Sequence, residues 1–276
     1  MNHANVLVAA LVVGCVSLAS PAGAAESQAT QQPASSRQIG QNASSGVFWL
    51  TGYRFHLSAV SVRSDDPRFR WDAHFGGDVD LLDYRIGRIN FLADYEVMIG
   101  SEFRSIDPNQ GAYHLDLSTS VRSGPTEVQA VYDHVSRHLS DRANRTSVSW
   151  NSAGAVVTTR YGGRAMTATF DVRGAKVLRA AFVDYTWQLG AGVDVEYRLS
   201  RHQALVARGD LEPILVDRRV AGRDTQVGAR IEGGMRLYGT GAGVEVFAAW
   251  ERRVDPYPLE RATRSWALLG FRFVNR

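Results

Sequence analysis

The chain has 276 residues, of which 45% are hydrophobic, 21% charged and 10% aromatic. That balance excludes a disordered, collagen-like or low-complexity chain, and the length suffices for one large domain or two small ones. Of the 31 basic residues only Lys176 is a lysine; with 28 acids the net charge is +3, and the two signs are interleaved, which leaves no basic stripe for nucleic acid. No run of 18 apolar residues occurs, so no ordinary helix spans a membrane. The one cysteine, Cys15, excludes an intrachain disulfide and a cysteine-based zinc site.

The N-terminus reads as an address. Val6 to Leu18 is an apolar run too short for a membrane span, and Ala22-Gly23-Ala24 supplies the small-x-small pattern of a cleavage site. Residues 1–24 are therefore predicted to be a signal peptide, with Ala25 as the mature start. Met1 to Asn5 lacks the usual Lys or Arg, and Val12-Val13-Gly14-Cys15 resembles a lipobox, so lipoprotein processing is the other reading. Residues 25–46 are rich in Gln, Ser, Ala and Asn without periodicity, which predicts a flexible arm.

From residue 47 to residue 276 the dominant period is two. Ile89, Phe91, Ala93, Tyr95, Val97 and Ile99 alternate with Arg88, Asn90, Asp94 and Glu96. Phe69, Trp71, Ala73 and Phe75 alternate with Arg70, Asp72 and His74, and the run from Val183 through Tyr185 and Trp187 to Tyr197 behaves likewise. This is a strand signal. It gives about twelve strands, near 50–62, 69–82, 88–104, 113–122, 126–138, 147–159, 164–173, 179–199, 203–216, 225–238, 242–251 and 263–273. The 179–199 stretch keeps its parity and reads as one long strand, with a hairpin near Gly190-Ala191-Gly192 as the alternative.

Alternation alone does not say whether the apolar face meets a core or lipid. The export signal, the strand count and the strand length favour lipid. About twelve strands close a barrel too wide to fill with hydrocarbon side chains, and many strands reach the roughly 9–11 residues of a tilted membrane strand. The expected fold is all-β, a closed antiparallel transmembrane β-barrel of about twelve strands with a polar, partly plugged lumen. The expected place is the outer membrane of a Gram-negative bacterium, with the lipid bilayer and lipopolysaccharide as partners. Ala267, Leu269, Phe271 and Phe273 share one face of the last strand. They resemble the aromatic C-terminal signal of outer-membrane barrels, which implies the barrel-assembly machinery as a further partner. A secreted β-sandwich is the alternative.

One segment carries chemistry. Val128, Ala130, Tyr132, His134, Ser136 and His138 share one strand face, and Glu127, Gln129 and Asp133 share the other. The face that begins apolar thus ends in His and Ser at the membrane rim, where a histidine beside a hydroxyl could act on a lipid ester. Here the residues resemble outer membrane phospholipase A, a family with His-x-Ser at a strand end followed after a loop by Ser-x-Ser-Trp-Asn. This chain has His134-Val135-Ser136 and then Ser147-Val148-Ser149-Trp150-Asn151.

The resemblance implies a twelve-stranded barrel with Ser136 as nucleophile, His134 as base and Asn151 orienting the histidine. It also implies calcium-dependent hydrolysis of phospholipid acyl esters and a homodimer as the switch. The family follows its serine with Asn-Gly, where this chain has Arg137-His138. If Trp150 faced lipid, Asn151 would face the lumen unless a bulge shifts the parity. A second outer-membrane deacylase family uses His-x-Ser with an acidic third member, the part Asp141 would play.

The competing reading makes this segment a surface strand end whose Arg137, Arg142 and Arg145 meet lipopolysaccharide phosphates. A metal site on His134, His138 and Asp141 would need a helical turn, because on a strand the two rings stand about 13 Å apart. Three functions follow: a lipid acyl hydrolase, a non-catalytic structural or surface barrel, and a narrow channel.

Overall fold

The computed structural model describes residues 46–140, 142, 146 and 148–275. The predicted signal peptide, nearly all of the predicted arm, and Asp141 lie outside them. Twelve antiparallel strands run in chain order: β1 (Phe48–Val62), β2 (Trp71–Asp83), β3 (Arg88–Gly100), β4 (Asp107–Ser123), β5 (Thr126–Leu139), β6 (Val148–Gly162), β7 (Met166–Ala181), β8 (Tyr185–Arg198), β9 (Gln203–Val216), β10 (Gln226–Tyr238), β11 (Ala242–Val254) and β12 (Thr263–Asn275). Each pairs with its sequence neighbours, and β1 closes on β12 from His56↔Val274 to Val62↔Leu268. Closure removes the sheet edge and pairs the backbone groups that a bilayer would leave unsatisfied. One helical turn, α1 (Arg218–Ala221), is capped by the Asp217 carboxylate on the Arg219 amide.

The alternation resolves as expected. Phe91, Trp187 and Ile231 stand outward, exposed by 38%, 43% and 65%. The last strand puts Leu269, Phe271 and Phe273 outside and Arg272 inside.

The lumen is filled by ion pairs, because ionised groups removed from water need partners there. Arg208 donates to Glu232 at 2.6 Å and to Glu245 at 2.8 and 2.9 Å, and Arg272 reaches the same two carboxylates at 3.0 and 2.9 Å. Arg253 on β11 crosses to Glu96 on β3 at 2.6 Å and Asp72 on β2 at 2.5 Å. Arg173 pairs with Glu212 and is given room by Gly190, where a Cβ would stand 2.2 Å from the Arg173 Nε. Gly190 is thus a mid-strand position of β8, and the alternative hairpin there is absent.

The turns 84–87, 124–125, 163–165, 199–202 and 239–241 lie at the end where β1 starts and β12 finishes, and the other loops lie at the opposite mouth. Under that mouth the inside turns apolar. Val135, Trp150, Tyr185, Ile214 and Val254 form one buried cluster, and Phe69, Met98, Phe247, Trp266 and neighbours another. The 255–262 loop folds into the opening above them, with Asp255 and Pro256 buried.

Three sequence expectations shift. The predicted 179–199 strand is broken at Phe182-Val183-Asp184, where Phe182 takes a φ of 73°, and β7 runs on to Ala181. Its parity hid a bulge between Tyr185 and Trp187, which turns Tyr185 into the interior and Trp187 outward. β4 begins at Asp107, six residues before the predicted start, because Pro108 sits beside the register shift at Met98/Ile99 instead of in a turn. Phe69 precedes β2 and packs inside against Trp266, with ring centroids 5.0 Å apart.

Candidate functional site

The outer face at the loop end of β4–β6 carries the residues singled out in the sequence. Register pairs Ser136 with Tyr113 on β4 and with Ser149 on β6, and His134 with Leu115 and Asn151. His134 and Ser136 are half-buried and His138 is exposed, while Asp133, Val135 and Arg137 point inward. Trp150 is 1% exposed inside the barrel, so Asn151 faces outward beside His134. The aromatic of the Ser-Trp-Asn triplet is therefore a core residue, packed edge-on against Tyr185 at 5.2 Å.

Three hydrogen bonds organise this face. Asn151 Oδ1 accepts from His134 Nδ1 at 2.8 Å and from the Tyr132 hydroxyl at 3.2 Å. An amide oxygen donates nothing, so in this bond His134 Nδ1 is the donor. The third bond joins Ser136 Oγ to His138 Nε2 at 2.8 Å. Ser136 and His134 are neighbours on the face but are not bonded to each other. His138 was singled out in the sequence only as a metal ligand; its i+2 spacing from Ser136 was the signal for this contact.

Behind the site, the next residue turns the other way. Arg137 donates from Nη1 to the Asp255 carbonyl at 2.7 Å and from Nη2 to the Pro256 carbonyl at 3.0 Å. The expectation that Arg137 meets headgroup phosphates at the surface is corrected: strand parity sends it inward, where the buried plug carbonyls hold it. Asp255 also accepts from Tyr185 at 2.8 Å and from Arg223 at 2.7 Å. Arg142 pairs with Glu102 at 2.6 Å and Asp107 at 2.8 Å. In the mouth loops, hydrogen bonds from Arg68 hold the Asp66 and Glu260 carboxyls below the ordinary carboxylate range.

A different group has metal-like composition. Asp72, His74 and Glu96 bring one donor atom each within 4.8 Å of one another in the lumen. Arg253 bonds both carboxylates there, which makes them part of the luminal ion network. On the outer face, the positions of β4–β6 around Ser136 are Tyr113, Leu115, Tyr132, His134, His138, Ser149 and Asn151. They include no carboxylate; the side-chain oxygens they offer are the hydroxyls of Tyr113, Tyr132 and Ser149 and the Asn151 amide oxygen.

Outer membrane phospholipase A from Escherichia coli superposes with a TM-score of 0.52 at 11% identity, over 83% of this chain and 98% of that one. The phospholipase dimer of Salmonella typhi, solved with bound calcium, superposes with a TM-score of 0.52 at 12% identity, over 81% of this chain and 90% of that one. The chain has the fold of a bacterial outer-membrane β-barrel. At such identities the likeness is one of fold alone. No protein-family model and no curated protein matches the sequence of this barrel.

Proposed function

We propose that this barrel is a serine hydrolase acting on acyl esters of outer-membrane lipids, with Ser136 as the nucleophile and His134 and Asn151 beside it. One observation carries the reading: the Ser136–His138 hydrogen bond of 2.8 Å and the His134–Asn151 hydrogen bond of 2.8 Å stand side by side on the outer face. Among the described residues, lumen positions such as Arg208, Glu232 and Glu245 hold their charges in buried ion pairs, whereas this cluster is on the outer face. There the group within reach of a nucleophile is a lipid ester. A serine with an imidazole at its hydroxyl can form an acyl-enzyme, and the acyl chain can lie along the apolar wall below it.

The reading includes export through residues 1–24, residence in the outer membrane with lipopolysaccharide around the rim, and a homodimer as the working state. Calcium dependence is read from the assay below, since the described residues of this face offer hydroxyl, amide and backbone oxygens as ligands. The filled lumen argues against the narrow channel.

The experiment is hydrolysis of phospholipid and of lipid A by the refolded barrel in detergent, with calcium and with chelator, for the parent and Ser136→Ala. Ester hydrolysis that falls at least a thousandfold in Ser136→Ala, with the heat-shifted gel migration of a folded barrel retained, supports the reading. Parent-level activity in the variant, or none in the parent on either lipid, overturns it.

A further inference from the structure

A histidine flanks Ser136 on each side, two residues before and two after. On a strand both rings share the face of the hydroxyl, so spacing gives no reason to prefer either. The structure breaks the tie. His134 is turned toward β6, with its Nδ1 on Asn151 Oδ1. Ser136 Oγ is turned the other way, onto His138 Nε2. We infer that His138 is the general base for Ser136, and that His134 with Asn151 positions the face around it. This rests on the hydrolase reading.

The surroundings of His138 suit the role. Its ring packs edge-on against Tyr113 at 6.0 Å, and Tyr113 packs on Tyr95 at 4.6 Å. Gly111 is the register partner of His138, and a Cβ there would stand 2.4 Å from the Tyr95 hydroxyl. The missing side chain lets the Tyr95–Tyr113 row run up to the exposed His138 ring, which meets Tyr113 edge-on. Among the described residues no side chain bonds the other ring nitrogen, so the Tyr113 edge and the Ser136 hydroxyl are the contacts that set the ring.

In the reaction, the Ser136 O–H bond breaks, its proton passes to His138 Nε2, and Oγ bonds to the acyl carbon. As the carbonyl re-forms, the bond from carbon to the lipid alcohol oxygen breaks and that oxygen takes the proton from His138. Water then attacks the acyl-serine and gives a proton to His138. The carbon–Oγ bond breaks, Oγ takes the proton back, and the fatty acid leaves. No other co-reactant is needed.

The test uses the parent, His138→Gln, His138→Ala and His134→Ala, each folded by heat-shifted migration. Two rates are read: lipid hydrolysis, and covalent labelling of Ser136 by a fluorophosphonate. The Gln side chain can still bond the serine hydroxyl but takes no proton, which separates a base from a spacer. Both rates are expected to fall about 10²–10⁴-fold in His138→Gln and His138→Ala, and less in His134→Ala. Labelling of His138→Gln within tenfold of the parent overturns the inference, as does a larger loss in His134→Ala than in His138→Gln. A parent that is neither labelled nor active fails the hydrolase reading itself, whereas a labelled, active parent with an unaffected His138→Gln fails only this assignment.

Discussion

Arg137 and Pro256 meet inside the mouth of the barrel, with the guanidinium Nη2 donating to the proline carbonyl at 3.0 Å, while the adjacent Ser136 hydroxyl faces the opposite way onto His138. One strand step therefore ties the plug to the candidate nucleophile. The residue before the plug anchor has to face the membrane, and the anchor itself fixes the backbone that presents it.

Replacing Arg137 with Met leaves the Asp255 and Pro256 carbonyls without this donor in a buried place. Hydrogen bonds to a charged group contribute about 1.5–3 kcal/mol each, so loss of the two in Arg137→Met is expected to cost about 3–6 kcal/mol. The midpoint of urea unfolding from lipid vesicles measures it. Hydrolysis should fall as well, since β5 then loses its inner tether. An unchanged midpoint would mean that the plug is held by its other bonds, among them those from Gln110, Arg223 and Tyr185.

Glu245 is fully buried and accepts from Arg208 at 2.8 and 2.9 Å and from Arg272 at 2.9 Å. Glu245→Gln leaves these guanidinium groups to Glu232 and should destabilise the barrel by about 3 kcal/mol, as breaking one side of a buried pair does. The same filled lumen is expected to give no conductance steps in a planar bilayer. Steps in the parent would reinstate the channel.

Much of this was legible from period two. Phe91, Trp187 and Ile231 face outward because the pleat carries every second side chain to one side, and the face of Ser136 followed from Val128 and Ala130 on the same strand. What escaped was local. Bulges at Tyr185/Trp187 and Asn151/Ser152 shift parity without changing composition, so Tyr185 could not be placed by counting. Trp150, whose face the sequence leaves conditional, is a member of a buried apolar cluster. The choice between His134 and His138 depends on side-chain rotation toward β6, which no spacing records.

The outward face has its own test. Ile231 is 65% exposed near the middle of β10. Ile231→Arg puts a charge against the hydrocarbon and is expected to cost about 2–4 kcal/mol if the site lies near the bilayer midplane. Refolding yield and unfolding midpoint in vesicles read this out. A neutral effect there would place β10 outside the lipid band.

The mouth loops should respond to acid through Arg68. This residue bonds Asp66 at 2.7 and 3.0 Å and also pairs with Glu260, and Arg264 reaches Asp66 at 3.0 Å. Hydrogen bonding to Arg68 lowers the pKa of Asp66 below that of an unfolded aspartate. A depressed carboxyl contributes stability above its unfolded value, near pH 3.9, and loses it as pH falls through the lower folded value. The parent should therefore resist heat better than Asp66→Asn at pH 7, and the gap should close as the pH is taken below that of an ordinary carboxylate. The pair is partly exposed and salt screens it, so high ionic strength should narrow the gap at pH 7 as well. Thermal midpoints of the two proteins across pH and salt decide the matter. A gap that persists unchanged into strong acid would show that Asp66 acts through its turn hydrogen bonds to the backbone instead of through its charge.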